Sequence, residues 1–258
     1  MTASPGGPYV EFGMYDFASV AWAWDELWGA VHARAPWTPA ELTRSGDAHA
    51  RWSDPDCIVT QVCGWPFAAM HHNEMHLIGA FSLDLPEAER PAHYRSVLFS
   101  TTDTPLDELL FADIHVIANS VDSLSGWHSL RAATVGPGHV WAGSVSFTGG
   151  HRNSLAALAS GDGDLACIDS WSLAFITAEE PELLRGLHRL GVGPLVPTPP
   201  ITARKSLSEE SVDQLRTAFA DALADPSLAV AAAALRIRGF VELEFGEYLD
   251  TLPLGAGA

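Results

Sequence analysis

The chain has 258 residues, 47% hydrophobic and 18% charged, a soluble globular composition with room for one large domain or two modest lobes. Its formal charge of −18 excludes nucleic acid and anionic membrane surfaces as partners, since those are bound through an excess of Lys and Arg. Any anionic ligand has to be held by local dipoles working against the overall field.

The opening "MTASPGGPYVEFGMYDF" carries no basic n-region and no apolar h-region, and no run approaches the roughly 18 apolar residues of a membrane span. The chain as written therefore reads as cytoplasmic without membrane insertion, or as periplasmic if a signal peptide has been removed. In "ASVAWAWDELWGAVHAR", Val20, Trp24, Leu27, Trp28 and Val31 fall at helical spacing, with Asp16 placed to cap the start. "CIVTQV" reads as a buried strand that ends in the turn "CGWPF", where Trp65 can form either turn packing or an aromatic wall for a ligand. Cys57, Cys63 and Cys167 form no CxxC pair and read as buried free thiols, in keeping with a reducing compartment.

"MHHNEMH" offers His71, His72, Glu74 and His76, but the spacing matches no zinc signature, so a solvated loop is expected and no metal. "LIGAFSL" and "YRSVLFS" follow as strands around the polar "DLPEAERPAH", then "TPLDELLFA" as a short helix and "IHVIAN" as a strand. "SVDSLSGWHSLRAATV" is a turn feeding a helix with Trp127 and Leu130 inward. "VSFTGGHRNSLAALASGDGDLACIDS" supplies strand, glycine turn, helix and strand, and "SWSLAFITAEEPELLRGL" continues as helix. "PLVPTPPITA", with four prolines between Pro194 and Pro200, reads as an extended connector. Beyond it Ser206 and Glu209 stand at capping-box spacing, and Val212, Leu215, Phe219 and Leu223 line one helix face. "AVAAAALRIRGF" is also helix-compatible. Strands alternating with helices give an α/β fold with mainly parallel sheets and flanking helices.

Two turns can carry chemistry. In "NSVDSLSGW", Ser120, Ser123 and Ser125 converge before a helix, and Gly126 lets a ligand approach the backbone. Free amides and hydroxyls there make an anion site without a lysine, or else a plain helix cap. "TGGHRNS" repeats the device, with His151 opening a helix. Asp169 closes a third strand, either to accept a proton from a ligand or to cap the next helix. In open α/β sheets the ligand crevice lies beyond the carboxyl ends of the strands, where all three fall. No GxSxG, P-loop or GxGxxG is present, so no cofactor is expected.

These residues resemble the phosphate/phosphonate-type substrate-binding proteins of ABC importers. The stretch Val145–Ser170 is similar to that family's threonine-glycine-x-histidine, small helix and hydrophobic-aspartate-serine run, and "DSLSG" to its oxyanion loop. "CGWPF" stands at its glycine-proline-aromatic turn, and "PTPPITA" resembles its return crossing. The likeness runs from about Tyr15 to Pro226. It implies a two-lobed type II periplasmic-binding-protein fold with the ligand clamped between lobes, 1–94 plus 196–258 forming one and 95–195 the other. Ser123, Ser125 and Gly126 would hold the oxyanion with His151 beside it, and Asp169 would touch the far side of the ligand. Tyr15 and Trp65 would approach from the first lobe. The implied function is binding of a small oxyanion or a phosphonate- or phosphate-like metabolite, without catalysis and with an ABC permease as partner. Two other readings stay open: an enzyme on the same fold using His151 and Asp169 as an acid–base pair, and a cytoplasmic ligand sensor.

Overall fold

The computed structural model describes residues 6–44, 48–110, 113–134 and 143–255. The chain divides into two compact units. The first holds the residues up to Asp84, then Arg90–His93 and Pro197–Asp250; the second holds Leu85–Glu89, Tyr94–Val196 and the residues from Thr251 on. Leu85–Glu89 therefore leaves the 1–94 segment. Its acids explain why: Glu87 pairs with Arg189 at 3.0 Å and Glu89 with Arg95 at 2.6 Å, both inside the second unit.

In the first unit the sheet runs Tyr9–Glu11, Cys57–Gln61, Pro200–Arg204, Met75–Leu83, Ile237–Val241. Tyr9–Glu11 and Cys57–Gln61 are parallel, and the other three pairings are antiparallel. The proline-rich connector thus contains a central strand: Pro200 occupies its first position, where a missing N–H is tolerated, and all five of its residues are buried. The "AVAAAALRIRGF" helix covers only Ala229–Ala234, after which Ile237–Val241 extends into the sheet. Against this sheet pack the helices Ala21–Arg34 and Glu209–Ala224.

The tryptophans of "WAWDELW" account for this core. Trp24 stacks on Phe12 at 5.3 Å and meets Phe81 at 6.0 Å, while Trp28 and Phe81 both reach Phe219. Trp24 and Trp28 are fully buried, and each such side chain contributes about 3 kcal/mol. Two capping expectations are corrected. Asp16 makes no cap bond to the first helix, because Arg44 binds its carboxylate at 2.6 Å. Ser208, not Ser206, caps Glu209–Ala224 by accepting from the Ser211 amide, and Ala222 rather than Leu223 completes its buried stripe. "CGWPF" is helical, with Gly64–Pro66 running into a wide turn at Phe67–His71.

The second unit's sheet runs Ser144–Phe147, His115–Ala118, Leu165–Ile168, Val97–Ser100, His188–Val192. Its first three strands are parallel and the last two pairings antiparallel. Both sheets are therefore mixed rather than mainly parallel, because side-chain alternation reports a strand and its faces but not its direction. His188–Val192, an exposed edge, carries too little apolar alternation to be seen in advance. The core gathers Leu98, Leu109, Ile114, Val116, Leu130, Leu165 and Cys167. Phe111, Ala112 and Val135, assigned to helices from sequence, lie outside the described residues. All three cysteines are free thiols; Cys57 and Cys167 are buried and Cys63 is half-buried.

Candidate functional site

Three parallel strands of the second unit end side by side, and each turns into a helix. His115–Ala118 passes through Asn119–Ser123 into the wide turn Leu124–His128, which continues as Ser129–Thr134. Ser144–Phe147 passes through Thr148–Gly150 into His151–Ala159. Leu165–Ile168 passes through Asp169 into Ser170–Glu179. The helix starts thus gather at one sheet edge, and the first turn of each carries backbone N–H groups without intrahelical acceptors.

The first two turns are tied together. Gly149 donates its N–H to the Asn119 carbonyl at 2.8 Å, and Thr148 donates to that of Ala118 at 3.0 Å. Gly149 holds φ at +82°, a left-handed value that glycine adopts without strain. Ser123 caps the first helix, its Oγ accepting from the Gly126 N–H at 3.0 Å, while Ser120 closes the preceding turn by accepting from the Ser123 amide. Ser123 and Ser125 are 3% and 5% exposed, so their hydroxyls need partners. Gly126 has a role beyond ligand access: a Cβ there would come 1.9 Å from Asn119 Oδ1.

Ser125 Oγ lies 3.0 Å from His151 Nε2. On the other side of the ring, the Asp169 backbone N–H donates to Nδ1 at 3.4 Å. A backbone amide is always a donor, so Nδ1 is a bare lone pair and the ring proton sits on Nε2. Burial holds the ring's pKa below the ordinary imidazole value, with the Asp169 charge opposing, which keeps it neutral. Nε2–H then donates to Ser125, as the Gly126 amide donates to Ser123. Each serine oxygen is thereby an acceptor within the protein, and these two contacts do not use its own hydrogen.

The same arrangement rules out a serine nucleophile activated by His151, since the nitrogen facing Ser125 already carries the proton. Asp169 is not a partner acid either. Its Oδ1 accepts from the Ser172 N–H at 2.7 Å, capping Ser170–Glu179, and its Oδ2 accepts from Tyr94 Oη at 2.6 Å. Of its two sequence readings, the structure displays the helix cap. Ser170, next in line, has a buried Oγ with no hydrogen-bond partner among the described residues. Arg152, beside His151, is drawn away into a pair with Glu180.

Tyr15 and Trp65 belong to the first unit. Tyr15 is buried in the turn Gly13–Tyr15 with its carbonyl accepting from Trp24 Nε1 at 2.9 Å, and Trp65 is half-buried in Gly64–Pro66. Both follow parallel strands and share one sheet edge. The histidine run disperses: His71 faces Glu74 at 3.9 Å, His72 stacks on Phe245, and His76 meets Lys205 and Glu209. Among the described residues no group of three or more His, Cys, Asp or Glu can hold a metal. Sequence reasoning missed Asn119, Tyr94 and Ser170. Asn119 was visible as a strand-end residue, whereas Tyr94 lies 75 positions from Asp169 and gave no signal.

A family model described as the periplasmic substrate-binding protein of phosphonate ABC transporters matches residues 62–248. No curated protein matches in sequence. Among solved structures, PhnD1 from Prochlorococcus marinus in complex with methylphosphonate superposes with a TM-score of 0.76 at 11% identity, covering 96% of each chain. A binding-protein component of an ABC phosphonate transporter from Pseudomonas aeruginosa gives 0.74 at 16%, covering 98% of this chain and 86% of that one. XAC2383 from Xanthomonas citri bound to ATP gives 0.70 at 14%, covering 98% and 97%. The shared fold is that of the type II periplasmic binding proteins.

Proposed function

Because the chain belongs to the periplasmic substrate-binding proteins of phosphonate ABC transporters, we propose that it captures a small phosphonate- or phosphate-like oxyanion at the edge of its second unit where three helices begin. The family binds solute for a permease rather than transforming it, and no helix among the described residues is long and apolar enough to cross a membrane.

The observation that carries the reading is the Ser125–His151 contact at 3.0 Å, with the Asp169 amide on the opposite ring nitrogen. It makes Ser125 a hydrogen-bond donor toward the ligand, as the Gly126 amide does for Ser123. Helix N-termini add partial positive charge, on the order of half an elementary charge each. A protein of net charge −18 thereby offers a locally positive site built from neutral groups. Asp169 serves it from behind, by fixing the helix start whose amide meets His151.

Calorimetric titration with methylphosphonate, phosphate, phosphite and a sulfonate tests this. Binding of at least one of the phosphorus oxyanions, with ligand recovered unchanged, supports the reading. Saturating ligand is expected to add about 2.7 kcal/mol of stability at a hundredfold excess over Kd. No heat and no thermal shift with any of the four sinks it.

A further inference from the structure

The anion site contains one side chain with no assigned part. Asn119 sits at the C-terminal end of His115–Ala118, where its carbonyl already receives the Gly149 N–H. Its Nδ2 lies 3.3 Å from His151 Nε2, while its Oδ1 is buried without a hydrogen-bond partner among the described residues. Oδ1 is pressed against the facing turn: a Cβ on Gly126 would lie 1.9 Å from it and 3.2 Å from Ser123 Oγ. Asn119 therefore touches both turns that carry the serines and the histidine.

With Nδ1 accepting from Asp169, the Nε2 of His151 bears a hydrogen, and an amide NH2 facing it leaves two donors opposed and an oxygen stranded. Exchanging oxygen and nitrogen of the amide, which have nearly the same shape, removes the conflict. The oxygen then accepts from Nε2–H together with Ser125. The NH2 group then takes the place against the Ser123–Gly126 turn.

We propose that Asn119 is the positioning residue of the anion site: its side-chain oxygen locks the His151 ring with the hydrogen on Nε2, and so keeps Ser125 a donor to the ligand. This deepens the reading given above and rests on it for the ligand. Gly126 is required because only a residue without Cβ leaves room for that amide. A carboxylate at position 119 would compete with Ser125 for the Nε2 hydrogen and set a negative charge facing the oxyanion.

The test pairs Asn119→Asp and Asn119→Ala with the wild-type protein. Long-range proton–nitrogen NMR of the His151 ring is recorded without ligand, and methylphosphonate affinity is measured by calorimetry. Expected are an Nε2-protonated neutral ring in the wild type, the same tautomer with its titration moved to higher pH in Asn119→Asp, loss of the pure Nε2-protonated signature in Asn119→Ala, and affinity lowered about tenfold in Asn119→Ala and further in Asn119→Asp. Identical His151 nitrogen shifts and titration in wild type and Asn119→Asp overturn the proposal, whatever the affinities. A wild-type protein that ignores methylphosphonate, phosphate and phosphite overturns the anion reading instead. The ligand-free NMR still decides the positioning of His151.

Discussion

His151 is held from both ring nitrogens by groups 18 and 26 residues away, the Asp169 amide on Nδ1 and the Ser125 hydroxyl on Nε2. This pairing converts a buried serine from an indifferent donor–acceptor into a donor with one free direction.

Ser125→Ala removes the hydroxyl and leaves Nε2–H without its nearer acceptor. Phosphonate affinity is expected to fall by about 1–3 kcal/mol, the range for a hydrogen bond to a charged group, with the fold intact by circular dichroism. Calorimetry on the folded variant reads the effect directly, and an unchanged Kd contradicts the site.

Gly126→Ala drives a methyl group into Asn119 Oδ1, which lies 1.9 Å from the new Cβ. Overpacking of this kind costs about 1–3 kcal/mol. Urea unfolding is expected to show that loss, and titration to show weaker ligand binding. A variant as stable and as tight as the wild type places Asn119 elsewhere.

Asp169→Ala is expected to act on stability before it acts on affinity. It deletes a helix cap, worth about 0.5–2 kcal/mol, and leaves the buried Tyr94 hydroxyl without its acceptor at 2.6 Å. Tyr94→Phe keeps the cap and loses only the hydroxyl, so its smaller cost in denaturant unfolding, about 1 kcal/mol, separates the two parts. Equal stability of Asp169→Ala and wild type argues against the capping role.

Burial, reinforced by Arg131 and opposed by Asp122, pushes the His128 ring down to about 4. The unfolded chain takes up a proton near the ordinary value of about 6.5, so between these limits unfolding is coupled to protonation. Unfolding free energy is expected to be highest above about pH 6.5 and to fall as the pH drops toward 4, by on the order of 3 kcal/mol from this residue. His151, also lowered, adds in the same direction. Urea titrations across that window, in wild type and in His128→Leu, are expected to show a flatter profile for the variant. Matching slopes remove His128 from the explanation.

Much of this was legible in one dimension because the signals are local. "TGGHRNS" and "DSLSG" each encode a glycine or serine turn followed by a helix, and the pattern needs no distant partner to form. The Trp24 and Trp28 face is written at helical spacing, and both are buried where that spacing places them. Pro200 misled for an equally local reason: proline clusters signal connectors, yet a proline at the first position of a strand loses no ladder bond there.

By itself the sequence settled the long amphipathic helices, the turns that expose amides, and an acidic charge that leaves an anion to neutral donors, while it read Gly64–Pro66 as a turn and Pro200–Arg204 as a connector. Only the tertiary structure settled which nitrogen of His151 carries the proton, that the Asp169 carboxylate goes to Ser172 and Tyr94, and that Asn119 reaches Gly126. Those facts depend on three strands ending side by side in one sheet. Strand order and direction are fixed by pairing across tens of residues, which no local pattern of side chains records.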